Sequence, residues 1–229
     1  MFVRGVVVAC AVATASLAVA GGASAAKPGG GGTTTTPHDP ILFVHGWNSS
    51  SSTWNTMVGR FQQDGWTSAQ LNNWSYNTAQ SNVTTAGQIR DKVDGILAAT
   101  GATKVDVVTH SMGALSSRYY LKNLGGDVKV DEWVSLGGPN HGTDTANFCW
   151  DTSCVEMRPG SSFLTALNSG DETPGTPTYR TWWSPCDEVI NPDSSVALGG
   201  ATNTQTACLS HSALHEDATV YAQVRDFVK

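Results

Sequence analysis

The chain has 229 residues and a formal net charge of −6, from 13 Lys and Arg against 19 Asp and Glu. This acidic balance disfavours nucleic acid and anionic membrane surfaces as partners. The length suits a single folded domain once a targeting segment is set aside. Charged residues make up 14% of the chain, below the ~25% typical of soluble domains, so we expect a surface rich in Ser, Thr, Asn and Gly.

The first residues have the pattern of a secretory signal peptide. A basic Arg4 precedes a small and apolar run at residues 5–20, and residues 23–25 form an A-x-A cleavage site. A membrane anchor is disfavoured because glycines interrupt the run. We predict a signal peptide at 1–26, a flexible Gly- and Thr-rich leader at 27–38, a folded domain at 39–229, and export from the cell.

Cysteine usage supports an oxidising compartment. Cys10 falls inside the signal, and as a lipoprotein cysteine it would leave almost no apolar residues before it. The other four predict two disulfides. Their spacing suits a small loop staple between Cys149 and Cys154, which leaves Cys186 with Cys208. A zinc site is the competing interpretation, and it is disfavoured because no C-x-x-C pair is present.

Apolar patterning predicts alternating strands and helices in the folded domain. Short β-branched or apolar runs are typical of strands, and apolar residues at i, i+3, i+4 and i+7 are typical of helices. This alternation predicts an α/β domain with a mainly parallel sheet. The predicted strands are 41–44, 105–108, 130–136 and 178–183, and the predicted helices are 54–61, 89–97, 114–124 and 220–228.

Ser111 lies in the motif T-H-S-M-G at residues 109–113, directly after a predicted buried strand and before a predicted helix. This is the context of a nucleophile elbow, a sharp turn that exposes a reactive serine. Small residues are usual two positions on either side, because strand and helix pass closely there. Gly113 fits this pattern. Thr109 departs from it, so we expect either a displaced helix or small neighbours that make room.

A serine nucleophile needs a histidine base that is oriented by a carboxylate, and after such an elbow the acid comes next and the histidine last. His211 lies in a Ser- and Thr-rich loop before the last helix, where the base is expected. We interpret His215 as a surface or capping residue. The other four of the six histidines are disfavoured by their positions: His38 in the leader, His45 at the first strand end, His110 pointing away from the elbow, and His141 too early in the chain.

Asp187 is the predicted acid because it follows the strand that ends at Trp183. Asp171 and Asp193 are alternatives that read more simply as turn residues. The predicted Cys186–Cys208 bond would hold the acid and base loops together, with a stabilisation of about 3 kcal/mol in the chain-entropy model.

The developing oxyanion needs two backbone N–H donors in such a site. Met112 provides one because it follows the nucleophile. The loop His45-Gly46-Trp47 after the first strand provides the other, with Trp47 as the donor. Of the eight tryptophans we assign only Trp47 to the site, because most large aromatic residues belong to the core.

Together these motifs resemble the small secreted bacterial lipases of the α/β-hydrolase superfamily, the class 2 lipases. The similarity extends from about Pro40 to Val228, and members commonly have Ala or Gly where Thr109 stands. It implies an α/β-hydrolase fold with a minimal or small cap, and hydrolysis of triacylglycerols or other carboxylic esters without a metal or an organic cofactor. The matching segments are 44–46, 107–113, 136–138, 184–190 and 209–211.

The sequence therefore predicts a secreted, monomeric triacylglycerol lipase that contacts a lipid–water interface transiently. The alternatives are a hydrolase of short soluble esters or of polyesters, an acyltransferase, and a non-catalytic hydrolase-like binding protein. The last is disfavoured because the serine, the aspartate and the histidine are all present. Residues 139–177 form either a cap over the site or a disulfide-stapled surface loop, and the loop is the simpler expectation.

Overall fold

The computed structural model describes residues 38–229, so the predicted signal peptide and all of the predicted leader except His38 lie outside the described residues. This part of the chain forms a six-stranded sheet in which every neighbouring pair is parallel. The predicted α/β-hydrolase fold is confirmed. The strands, whose order across the sheet is β2-β1-β3-β4-β5-β6, are β1 (Ile41–Val44), β2 (Leu71–Asn73), β3 (Val105–His110), β4 (Val130–Leu136), β5 (Thr178–Trp183) and β6 (Thr202–Gln205).

Within residues 38–229, six α-helices accompany the sheet, and their ends follow local chemistry. The Ser81 hydroxyl accepts a hydrogen bond from the Val83 amide at the start of the longest helix, and Gly101 ends it in the left-handed conformation. Between residues 38 and 229 no helix is both long and apolar enough to cross a membrane. The helices are α1 (Asn55–Gln63), α2 (Asn82–Thr100), α3 (Gly113–Asn123), α4 (Thr152–Met157), α5 (Ser162–Leu167) and α6 (Ala218–Phe227).

The two faces of the sheet bury separate apolar clusters, because side chains alternate along each strand. Ile41 and Phe43 of β1 pack with α1 and α6 on one face. Leu42 and Val44 pack with α2 and α3 on the other. Full burial of such a side chain stabilises the fold by roughly 1.5–3 kcal/mol. The central strands are therefore apolar on both faces, which is why their runs were recognisable in the sequence.

Four elements escaped the sequence prediction, and each has a physical reason. The edge strands β2 and β6 are short, and β6 consists entirely of polar residues. Helices α4 and α5 have six residues each, too few for an apolar period to stand out. His38, the last residue of the predicted leader, stacks on Trp66 with ring centroids 3.8 Å apart.

Candidate active site

Ser111 occupies the turn between β3 and α3 with a φ of +55°, in the left-handed region. Such a conformation costs about 1–3 kcal/mol and persists only where the surroundings enforce it. Here the Ser111 amide donates to the Leu136 carbonyl at 3.0 Å, and the Ser111 carbonyl accepts from Ala114 at 3.0 Å. A Cβ atom on Gly113 would lie 2.5 Å from the Val44 carbonyl oxygen. Glycine is therefore required where α3 passes the end of β1.

Thr109, which departs from the small residue usual in this motif, is accommodated within the sheet. Its side chain is buried, and its hydroxyl donates to the Val134 carbonyl of β4 at 2.7 Å. The threonine therefore satisfies its own polar group by binding the neighbouring strand.

Asp187 and His211 form a buried pair at the carboxyl edge of the sheet. The His211 Nδ1 donates to Asp187 Oδ2 at 2.8 Å, and the two side chains are 10% and 1% exposed. The other oxygen, Oδ1, accepts from the amides of Val189 at 2.9 Å and Ile190 at 3.0 Å. These bonds orient the carboxylate and leave Nε2 of the imidazole available as a base.

Two further residues hold the backbone of His211. Its amide donates to Glu188 Oε2 at 3.0 Å, and its carbonyl accepts from His110 Nε2 at 3.0 Å. The prediction that His110 points away is wrong, because its ring lies 4.5 Å from that of His211. Burial, with the neighbouring His211 and His215, lowers the pKa of His110 well below its usual value. Neutral His110 can therefore serve as a fixed donor.

The interpretation of His215 as a surface residue is also wrong. It is 7% exposed, so it does not lie on the surface, and its ring packs edge-on against His110 with centroids 4.7 Å apart. Burial lowers its pKa. The alternating apolar pattern does not extend to this short 3-10 turn, Ser212–His215, so nothing in the sequence indicated a buried side.

Both disulfides predicted from spacing are formed, which leaves no cysteine among the described residues for a zinc site. Cys186–Cys208 joins the loop that carries Asp187 to the loop that carries His211. The same loops are tied by Ser184, whose hydroxyl donates to the Leu209 carbonyl at 2.6 Å and accepts from its amide at 2.8 Å.

The two backbone donors predicted for the oxyanion lie beside Ser111. Neither the Trp47 amide nor the Met112 amide donates a hydrogen bond within residues 38–229. A Cβ atom on Gly46 would lie 2.7 Å from Ser111 Cβ, so only glycine allows the Trp47 loop to approach this closely. Neither N–H group is therefore committed to another partner within the described residues.

A cavity of about 410 Å³ opens above these groups. Ser111, His110 and His211 provide part of its polar lining and Asn48, Thr143 and Thr145 the rest, whereas most of the lining surface is apolar. One side comes from the loop after β1 and another from residues 143–157, which contain the Cys149–Cys154 disulfide and which we call the stapled wall. The lining residues are Trp47, Asn48, His110, Ser111, Thr143, Thr145, Ala146, Phe148, Cys149, Met157, Val189, Ile190 and His211.

The stapled wall, part of the segment 139–177 for which the sequence left a cap and a stapled surface loop open, is packed in part against the domain. Ala146, Cys154 and Met157 share an apolar cluster with α3 and α5. The Glu156 carboxylate accepts from the amide of Asn82 at 2.7 Å, at the start of α2. Phe148 and Trp150 nevertheless remain 80% exposed beside the cavity. The segment is therefore a fixed wall with an aromatic rim.

Comparisons with known proteins agree with this architecture. A family model described as lipase (class 2) matches residues 38–226. The mature form of lipase BlEst2 from Bacillus licheniformis is similar in structure, with a TM-score of 0.75 and 18% identity over 85% of this chain and 93% of that chain. Lipase B from Aspergillus fumigatus has a TM-score of 0.71 and 17% identity over 83% of this chain and 52% of that one. The chain thus belongs to the class 2 lipase family, as its motifs predicted, and is an ester hydrolase of the lipase and esterase type.

Proposed function

We propose that this protein is a secreted serine hydrolase that cleaves carboxylic esters, triacylglycerols among them, through a Ser-His-Asp acyl-enzyme mechanism. The observation that carries the proposal is the Asp187–His211 pair, 2.8 Å apart, at a cavity whose lining includes the elbow residue Ser111. The predicted signal at 1–26 and the two disulfides support export, because disulfides persist in oxidising compartments.

In the first step His211 Nε2 takes the proton of Ser111 Oγ while that oxygen attacks the ester carbonyl. Ser111 Oγ makes no hydrogen bond within residues 38–229, and catalytic contacts of this kind commonly tighten when substrate binds. Asp187 keeps the proton of His211 on Nδ1 and stabilises the imidazolium that forms.

The tetrahedral oxyanion is held by the N–H groups of Trp47 and Met112. Loss of one such donor lowers kcat by roughly 100- to 1000-fold in comparable sites. The imidazolium of His211 then protonates the leaving alcohol. Water, deprotonated by the same histidine, then attacks the acyl carbon; the bond from that carbon to Ser111 Oγ breaks, the imidazolium returns the proton to Oγ, and the carboxylic acid leaves.

The lining of the cavity supports an acyl chain as its occupant. Most of the cavity surface is apolar, with Asn48, Thr143 and Thr145 as polar residues outside the catalytic groups, and its apolar lining includes Ala146, Phe148, Met157, Val189 and Ile190. Phe148 and Trp150 are exposed, and large exposed apolar side chains next to a cavity suit brief contact with a lipid–water interface. We therefore favour lipid esters as substrates of a monomeric enzyme.

A hydrolase of short, soluble esters is the second candidate. The cavity volume of about 410 Å³ lies toward the lower end of the roughly 300–1000 Å³ typical of ligand sites. A small cavity favours short acyl groups, so the acyl chain length decides between the two candidates.

The test is hydrolysis of p-nitrophenyl esters from acetate to palmitate by the mature protein. We expect turnover that extends to long chains, and we expect Ser111→Ala and His211→Ala each to lower kcat by about a thousandfold or more. Ser169→Ala, at an exposed serine outside the cavity, is the matched control and should retain wild-type kcat.

Cleavage of acetate and butyrate alone would replace the lipase with the short-ester hydrolase. Near-wild-type turnover by either catalytic variant would remove that residue from the mechanism, and no turnover of any ester would overturn the proposal.

A further inference from the structure

The indole of Trp47 connects the loop after β1 to the stapled wall. Its Nε1 donates to Asp151 Oδ2 at 3.0 Å, between residues that are 104 positions apart in the chain. Trp47 lines the cavity, and Asp151 lies within the loop closed by the Cys149–Cys154 disulfide. The hydrogen bond therefore ties two sides of the cavity together.

Asp151 accepts this hydrogen bond from the indole and accepts none from the first backbone amides of its own helix, α4. It occupies the N-cap position of α4, where an aspartate normally accepts from the first amides of the helix, yet its side chain makes no capping bond. Asp217, at the same position of α6, accepts from Thr219 at 2.8 Å and from Val220 at 2.9 Å. The carboxylate of Asp151 is thus directed to the indole although a capping partner is adjacent.

The backbone of the Trp47 loop has supports of its own. The His45 carbonyl accepts from the Tyr76 hydroxyl, and the Asn48 amide donates to Thr78 Oγ1 at 3.1 Å. Gly46 is held against Ser111 by close packing. Loss of the Asp151 contact would therefore leave the backbone N–H of Trp47 in place and release only the indole. Trp47 is already 37% exposed, so the indole has solvent to move into.

We propose that Asp151 is a specificity-determining residue that acts through Trp47. By fixing the indole it keeps the cavity narrow beside Ser111, so that esters of linear acids are preferred over esters of acids branched next to the carbonyl. This role of Asp151 rests on the proposed ester hydrolysis. If the backbone N–H of Trp47 binds the carbonyl oxygen of the ester, the acyl carbon next to that carbonyl lies beside Trp47. A branch at this carbon then meets the indole.

Two isomeric substrates isolate branching from chain length and hydrophobicity: p-nitrophenyl octanoate and p-nitrophenyl 2-ethylhexanoate. We expect Asp151→Ala to raise the ratio of kcat/KM for the branched ester to that for the linear ester by about fivefold, in keeping with the loss of one hydrogen bond. Asp151→Asn retains an acceptor oxygen and should stay within about twofold of wild type.

The same substitution in a second background separates this effect from a general loosening of the fold. In a Trp47→Phe protein, which lacks the indole N–H, Asp151→Ala should no longer change the ratio, because coupled residues are non-additive. Asp144→Ala removes another exposed carboxylate of the stapled wall and should leave the ratio unchanged. Thermal unfolding of each variant verifies that it is folded.

An unchanged ratio in folded, active Asp151→Ala would overturn the inference and leave ester hydrolysis standing. An equal fall in kcat/KM for both esters would also overturn it, since the residue would then act on the reaction and not on selection. A wild-type protein that cleaves neither ester in a Ser111-dependent way would overturn the proposed function and this inference together.

Discussion

The two disulfides lie in regions with different surroundings, the catalytic loops and the stapled wall. Cys186–Cys208 spans 22 positions and joins the loops of Asp187 and His211, whereas Cys149–Cys154 spans 5 positions and lies within the stapled wall. The first region surrounds reacting groups with polar contacts. The second combines apolar packing with polar contacts that hold the wall in position, among them the hydroxyls of Thr143 and Thr145, which donate to the Val189 carbonyl. We infer that the first region determines the rate and the second determines which esters fit.

The difference is visible at single residues. His211 is held at its ring by Asp187, at its amide by Glu188 and at its carbonyl by His110. The stapled wall, by contrast, holds the indole of Trp47 through one hydrogen bond, which Asp151 accepts in an exposed setting. A base that must be placed precisely needs several bonds, because a displacement of about 1 Å can lower the rate roughly 100-fold. A wall tolerates more movement.

Apart from replacement of Ser111 or His211 themselves, the largest effect is expected at Gly137, where β4 ends beside the acid–base pair. Its φ is +57°, and a Cβ atom there would lie 2.9 Å from Leu214 Cδ1, 3.1 Å from Asp187 Oδ2 and 3.2 Å from His211 Nδ1. Gly137→Ala should displace this pair and lower kcat by about 100-fold. Steady-state hydrolysis of p-nitrophenyl butyrate measures the change.

Gly101→Ala is the matched control, because Gly101 also has a positive φ, +73°, but a Cβ atom there meets nothing within 4 Å. This variant should lose stability through backbone strain and retain kcat. Equal losses of kcat in the two variants would show that the damage comes from backbone strain and not from displacement of the catalytic pair.

Serine replacement of each disulfide tests the comparison directly. The chain-entropy model predicts a loss of about 3 kcal/mol in the free energy of unfolding without Cys186–Cys208 and about 2 kcal/mol without Cys149–Cys154, a difference of about 1 kcal/mol. Only the first double variant should also show a lower kcat. Urea unfolding and kcat on one ester measure both quantities, and a lower kcat in the second variant would contradict the division of roles.

The smallest effect concerns pH. Burial lowers the pKa of His110, so on acidification the unfolded chain binds a proton that the folded protein excludes. The contribution of His110 to the free energy of unfolding is fully present above the unfolded pKa of about 6.5. It is lost as pH falls through that value, by about 0.7 kcal/mol between pH 7 and pH 6. The stapled wall contains no histidine and contributes no such change.

The measurement is urea unfolding of wild type and His110→Gln at both pH values, since glutamine keeps an N–H donor and cannot titrate. The wild type should lose more stability than the variant. Burial raises the pKa of Asp106, which acts in the opposite direction, but this contribution is common to both proteins and cancels in the difference. Equal pH dependence of the two proteins would show that His110 does not titrate in this range.

Local patterns in the sequence were sufficient for the central fold and for the main site candidates. The run at 41–44 is apolar throughout and the run at 105–108 is apolar except at Asp106, a pattern that favours a parallel sheet covered on both faces. Ser111 was recognisable because a strand precedes it and a helix follows it. His211 and Asp187 followed from chain order, and the cysteine pairs followed from spacing.

Contacts between distant segments could not be read in the same way. Glu188, His110 and Asp151 are common polar residues in loops or at element ends, and no period or motif marks their partners. Edge strands β2 and β6 were missed because exposed strands need no apolar face.

Thus the sequence by itself determined the α/β order of elements, the family and the candidate nucleophile, because each depends on residues that are neighbours in the chain. The tertiary structure alone decided that the stapled wall borders the cavity, that His110 and Glu188 hold the base, and that Asp151 faces Trp47. Each of these depends on which surfaces meet when helices cover the sheet, and that meeting is set by packing of the whole domain.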